Sequence, residues 1–363
     1  METKLMEIVC GVEHLNREAM GMAADRQGML AKPPGSLGRL EELSVQLAGV
    51  TGHVHNRVDK RRVIVMAADN GVYEEGVSSS PQSVTLAQTV NLTKGLTGCA
   101  VISRHCNTEL QVVDVGVNAR VNCAAVVDRK IACGTKNLYK EPAMTRQQAV
   151  QALLVGVEMA GMAKKDGVQI VGVGEMGICN TTTSSAVLAA LTGLDVEKVT
   201  GRGGGITDSA FLKKKQVIEG ALALHRPRRD DPIDVLSKVG GFDIAAMAGV
   251  FLGCAYHKLP VVVDGFISVV AALCAARLCP TAKEYMILSH QSFEIGYMAA
   301  AEELGSRPLF DLGMRLGEGS GCPIAFEIVA TACAVMNNMA TFDEASINDE
   351  YLDEIREKDS FTV

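Results

Sequence analysis

Five short apolar runs, each closing on a polar or glycine residue, limit what this chain can fold into. They are Val63 to Ala68 before Asp69-Asn70-Gly71, Leu110 to Val115 with Asp114 and Gly116 at its end, Val168 to Val173 before Gly174-Glu175, Val261 to Val263 before Asp264-Gly265, and Tyr285 to Leu288 before Ser289-His290. A continuous apolar run of strand length suits a parallel strand buried on both faces. Stretches with helical spacing lie between most of them, notably Thr145 to Lys164, Thr183 to Leu191, Ser209 to Leu224 and Ile244 to Tyr256. Strand, polar terminus, helix, repeated, predicts an α/β architecture. Ligands in such folds sit outside the carboxyl ends of the strands, so Asp69, Glu175 and Ser289 are expected to converge on one pocket.

The chain of 363 residues, 48% of them hydrophobic, is long enough for one large domain or one large and one small. Its net charge of -7 gives no general field for nucleic acid or an anionic membrane, so the expected partner is a small molecule. The 11 cysteines are odd in number and unpaired by any CxxC spacing, and the charged start Met1-Glu2-Thr3-Lys4 lacks the apolar core of a signal peptide; both point to a reducing cytoplasm. The long apolar region from Gly240 to Pro260 is interrupted by Asp243, glycines and His257, so no membrane span is expected.

At the amino end, Thr3 to Leu30 reads as one or two amphipathic helices, Lys32-Pro33-Pro34-Gly35 forces a turn, and Ser36 is a candidate N-cap for a helix from Leu37 to Leu47. His53 and His55 have no third ligand nearby and read as loop residues, not a metal site. The acidic stretch from Asp343 to Asp359 reads as a solvated end segment with room for one short helix.

Three glycine-rich stretches carry the chemistry. In Arg315-Leu316-Gly317-Glu318-Gly319-Ser320-Gly321-Cys322-Pro323, one carboxylate stands between glycines, just before an apolar helix read from Ile324 to Met339 and opening at Pro323. A helix start favours the carboxylate and apolar enclosure favours the neutral acid, the balance a general base needs; capping the helix is the alternative role. Gly172-Val173-Gly174-Glu175-Met176-Gly177 matches GxGxxG and so raises a dinucleotide oxidoreductase. Against it, Asp195 does not end a strand run, and Asn180 to Ser185 come next as a polar helix start, which suits a ligand loop with Glu175 better. Gly201-Arg202-Gly203-Gly204-Gly205, with Thr207 and Asp208 as caps and Lys213, Lys214 and Lys215 on the next turn, lacks P-loop spacing but suits a phosphate monoester; a flexible turn with solvated lysines is the alternative.

Taken in order, several segments resemble the nicotinate-nucleotide:dimethylbenzimidazole phosphoribosyltransferase family of cobalamin biosynthesis. They are Lys32 to Leu40, Gly76-Val77-Ser78 with Pro81, Gly172 to Thr182, Leu236 to Asp243, Asp264-Gly265-Phe266, Ser289-His290 and Arg315 to Gly321, nearly the whole chain. The resemblance implies a doubly wound, three-layer parallel sheet over residues 61–322 and a second, smaller helical domain from 1–60 and 323–363. It implies transfer of 5-phosphoribose from nicotinate mononucleotide to a lower-ligand base, with no metal and no cofactor. The assembly implied is a homodimer, with a heterodimer of related chains as the variant.

By the same matching, Glu318 is the catalytic carboxylate and Glu175 lies near the reacting centre. Ser80, Gln88, Met176 and Leu316 are assigned to the acceptor base, and Gly174, Gly177, Asn180, Thr181, Gly203, Gly204, Lys214 and Ser292 to the phosphoribose and nicotinate. The chain departs from the family at Asn70, where many relatives carry His, and at Met176, where Leu is common. Some relatives use phenol or p-cresol as acceptor, and some of those work as two chains; Ser80 and Gln88 favour an azole. A chain of this kind is alternatively a non-catalytic structural partner of a relative, but retained Glu318, Glu175 and Lys214 argue against that.

Overall fold

The computed structural model describes residues 1–352. Six parallel strands form one sheet in the order β3-β2-β1-β4-β5-β6: β1 Arg61–Ala68, β2 Glu109–Gly116, β3 Val126–Asp128, β4 Ile170–Met176, β5 Val261–Val263 and β6 Met286–Leu288. The chain builds outward from β1 to β3, then returns to the other side of β1 with β4 and builds outward again. The sheet is therefore doubly wound, and its strand order reverses between β1 and β4. In β1, Val63 to Ala68 are wholly buried, as a strand covered on both faces requires.

Helices cover the sheet. Helix Phe242–Tyr256 is buried along almost its whole length, which explains why its sequence is apolar all round. It crosses helix Arg146–Lys165, whose amino end is closed by a capping box of Thr145 and Gln148. At the crossing a side chain on Gly156 would fall 2.5 Å from the backbone nitrogen of Val250, so the two backbones meet directly. Among the described residues no helix is long and apolar enough to cross a membrane.

The chain divides into two compact units. The larger comprises Met1–Glu13 and Lys60–Ala325; the smaller comprises His14–Asp59 and the chain from Phe326 onward. Helix Glu2–Cys10 thus counts with the larger unit, against the boundary read at residue 60, because it packs on helices Arg146–Lys165 and Phe242–Tyr256. In the smaller unit Ala19, Ala23, Ala48 and Met336 form a core against Val45 and Val54. Lys32, buried there, pairs with Glu41 at 2.7 Å. Ser36 is not the cap of the next helix, which is Arg39–Thr51: Gly38, at φ 48°, turns the chain into it, and Glu41 accepts from the Leu37 N–H instead. The acidic stretch beyond residue 352 lies outside the described residues.

Candidate active site

A cleft of about 290 Å³ opens where the carboxyl ends of β4, β5 and β6 meet the loops around residues 77–80, 202–206 and 315–318. Ser80, Gln88, Glu175, Met176, Gly177, Asn180, Thr181, Gly203, Gly204, Ser292, Leu316 and Glu318 line it, so most residues singled out from the sequence come together. Gly174 and Lys214 lie behind the lining. Asp69 and Ser289 do not reach the cleft: Asp69 accepts the Asn118 N–H at 2.8 Å, and Ser289 Oγ turns to His290 Nδ1 at 3.0 Å. Asp264 and His290 take the places expected for them.

Glu318 is built on an unusual backbone. Gly317, Glu318 and Gly319 have φ of 83°, 62° and 86°, left-handed values that a non-glycine residue adopts only when its surroundings hold it there. Three hydrogen bonds hold it. Asp264, at the end of β5, accepts the N–H of Gly319 at 3.1 Å and of Gly321 at 2.7 Å, and Glu175, at the end of β4, accepts the N–H of Glu318 at 3.3 Å. Gly174 lets the loop sit on β4, since a side chain there would be 2.5 Å from the Glu318 carbonyl oxygen. The result is a carboxylate 5% exposed, whose Oε2 accepts the Cys99 N–H at 3.0 Å and whose Oε1 has no hydrogen-bond partner among the described residues. Glu318 is therefore not the cap of the next helix; that helix, Gly321–Asn338, starts two residues before Pro323 with its first N–H on Asp264.

The glycines of GxGxxG are largely strand residues. Gly172 pairs with Val63 and Val262, and Gly174 pairs with Val65, so neither forms the phosphate turn of a dinucleotide site. Beyond β4 the chain forms a ligand loop: Cys179, at φ 72°, leads into helix Asn180–Thr192. Asn180 Nδ2 donates to both Glu175 Oε2 and, at 3.2 Å, Asp243 Oδ2. Burial, with Asp243 adding repulsion, pushes the Glu175 carboxyl up to about 8, and burial pushes Asp243 up to about 6.

The 201–205 loop and its lysines resolve differently from a solvated face. Lys214 is 1% exposed; its Nζ donates to Thr181 Oγ1 at 2.9 Å and to the Gly201 carbonyl at 3.0 Å, tying the loop to the ligand helix. Lys215 pairs with Glu197, and Arg202 with Asp208. Ser79 Oγ, on the opposite rim, reaches the Gly205 carbonyl at 2.7 Å. Burial lowers the Lys214 ammonium to about 8. Lysines in an unfolded chain titrate near 10.4, so between about 8 and 10.4 the unfolded state holds more protons and folding stability gains as pH rises. In urea unfolding at stepped pH, the wild type is therefore expected to gain on Lys214→Met by on the order of 2 kcal/mol across that window. A constant difference would show that Lys214 is not buried as a cation.

Cleft residues that sequence reasoning gave no role include Cys179, Asp264, His290, Glu294 and Arg315. The position of Asp264 and His290 directly after β5 and β6 was the available signal.

The phosphoribosyltransferase family model matches residues 12–347. A nicotinate-nucleotide–dimethylbenzimidazole phosphoribosyltransferase of Clostridium perfringens is 53% identical over 359 residues, 99% of each chain. The chain belongs to that enzyme family. The family member of Clostridium tetani is 44% identical over 98% of each chain. The crystal structure of the nicotinate-nucleotide–dimethylbenzimidazole phosphoribosyltransferase of Thermus thermophilus superposes with a TM-score of 0.87 at 37% identity, covering 92% of this chain and 99% of that one. The dinucleotide oxidoreductase reading ends here, since a phosphoribosyltransferase fold accounts for the same glycines.

Proposed function

We propose that this chain transfers 5-phosphoribose from nicotinate mononucleotide to 5,6-dimethylbenzimidazole, releasing nicotinate and an α-riboside 5'-phosphate. The observation that carries the reading is Glu318: a carboxylate fixed in a left-handed loop, with one oxygen tied to Cys99 and the other free at a cleft sized for small molecules.

The chemistry needs one base. The donor's pyridinium nitrogen is already cationic, so the C1–N bond breaks with its electron pair passing to nicotinate, and no acid has to protonate the leaving group. One azole nitrogen forms the new bond to C1 from the opposite face, which inverts that carbon, while Glu318 Oε1 takes the N–H proton from the other nitrogen. Glu175 sits beside the ribose and holds the Glu318 backbone at 3.3 Å. Ser80, Gln88, Met176 and Leu316 receive the base at one side of the cleft. Gly177, Asn180, Thr181, Gly203, Gly204 and Ser292 receive the phosphoribose and nicotinate, with Lys214 supporting Thr181 and supplying positive charge behind the 5-phosphate, while Gly174 seats the Glu318 loop on β4. Holding donor and acceptor in line supplies much of the remaining acceleration.

The relatives compared bear the name of dimethylbenzimidazole, which disfavours phenol or p-cresol as the acceptor. The intact Glu318 geometry argues against a non-catalytic partner role. We place the enzyme in the cytoplasm as a homodimer. The test is chromatography of the chain alone with nicotinate mononucleotide and either 5,6-dimethylbenzimidazole or phenol. Product from the azole is expected; product from phenol alone would move the acceptor assignment, and product only after adding a second chain would establish the partner reading.

A further inference from the structure

Gln88 stands on helix Ser83–Thr93, where Val84 also lines the cleft, while Asn180 and Thr181 belong to the stretch that follows β4. These two walls come from separate parts of the chain. A nitrogen of an azole held by one has to meet C1 of a ribose held by the other, so the position of the walls relative to each other enters directly into the reaction.

Two threonines one turn apart, Thr85 and Thr89, are fully buried on that helix. Thr89 does what a helical threonine ordinarily does: its Oγ1 donates to the carbonyl four residues earlier, that of Thr85, at 2.6 Å. Thr85 departs from that pattern. Its Oγ1 accepts the N–H of Ile178, 93 residues along the chain, at 3.1 Å. Among the described residues no other hydrogen bond joins this helix to residues 177–181. The Asp69 carboxyl, just after β1, lies beside the same hydroxyl and favours its hydrogen pointing that way, which leaves the oxygen's lone pairs to the loop.

The donor contacts further along the loop have fixings of their own. Asn180 is held on Glu175 and Asp243, and Thr181 on Lys214. Loss of the Thr85 bond would therefore free the helix from the loop without releasing Asn180 or Thr181.

We propose that Thr85 is a positioning residue for the acceptor: by taking the Ile178 N–H it sets the Gln88 helix against the donor loop, and so places the azole in line with C1. The inference rests on the assignment of Gln88 to the acceptor and of Asn180 and Thr181 to the donor. It gives the role to the hydroxyl of Thr85, not to its bulk.

Thr85→Val keeps the side chain's shape and removes the hydroxyl. In that variant kcat/KM for 5,6-dimethylbenzimidazole is expected to fall on the order of 10- to 100-fold, with the KM for nicotinate mononucleotide within about threefold of wild type. Thr85→Ser restores the hydroxyl and is expected to recover most of the loss. A merely structural role would lower the melting temperature and leave the ratio of the two KM values unchanged. Acceptor kinetics of wild type in Thr85→Val, equal losses toward donor and acceptor, or a Thr85→Ser variant no better than Thr85→Val would each overturn the proposal. Thr85→Ala carries the same expectations where the valine variant does not fold. Amide hydrogen exchange without substrate reads the bond itself: the Ile178 N–H is expected to exchange slowly in wild type and Thr85→Ser, and about tenfold or more faster once the hydroxyl is gone. Equal exchange in all of them would also overturn it. Because exchange needs no turnover, a wild-type chain inert toward the azole would count against the function and leave the Thr85–Ile178 result standing.

Discussion

Glu318→Gln is expected to lower kcat by about a hundred- to ten-thousandfold while leaving the KM for nicotinate mononucleotide within a few-fold of wild type. Glutamine preserves the side chain's size and, through its Oε1, the hydrogen bond from the Cys99 N–H. It removes only the capacity to accept the azole proton. The proton must leave as the new C–N bond forms, so the loss falls on turnover and spares ground-state binding. Initial rates at saturating donor, with the melting temperature as a check on folding, make the measurement. A variant within tenfold of wild type would assign the base elsewhere, with Glu175 or His290 next in line by position.

Gly174→Ala is expected to cost about a hundredfold in kcat although the residue touches no substrate. The added methyl would sit 2.5 Å from the Glu318 carbonyl oxygen and 2.6 Å from the Gly319 nitrogen, too close for either to stay. The contact is backbone, not the end of a flexible side chain, so the loop has to lift from β4. Such a shift weakens the bonds that Asp264 and Glu175 make to it and moves the carboxylate away from the acceptor. Displacements of about 1 Å from productive geometry cost activity on this scale. Steady-state kinetics with circular dichroism separate the two effects: a folded, slow enzyme is expected, and a folded enzyme at wild-type speed would show that the loop's seat on β4 does not matter.

Much of this was written plainly in the chain. β1, β4, β5 and β6 are buried on both faces, as is β2 from Val112 onward, and that burial leaves mostly apolar runs of strand length. β3 was illegible, because three residues at a sheet edge, one of them exposed, form no run. Glu318 stood out because the backbone it needs demands glycine on both sides. Asp264 did not, since an aspartate after a strand reads as a cap for the helix beyond it, and only the folded chain shows it reaching 55 residues ahead to Gly319. Lys214 was picked for charge, yet three lysines in a row cannot reveal which one turns inward; the neighbours on either side are exposed or paired with Glu197. Ser36 failed as a cap because Gly38 enters the helix through a left-handed turn that leaves the serine outside.

The most direct test of the central claim is proton NMR of the product formed from nicotinate mononucleotide and 5,6-dimethylbenzimidazole by the wild-type chain and by Glu318→Gln. The expected result is one equivalent of nicotinate for each riboside phosphate, the α configuration at C1, and a rate that collapses in the variant. A β-riboside, nicotinate released without riboside, or undiminished turnover by Glu318→Gln would contradict it.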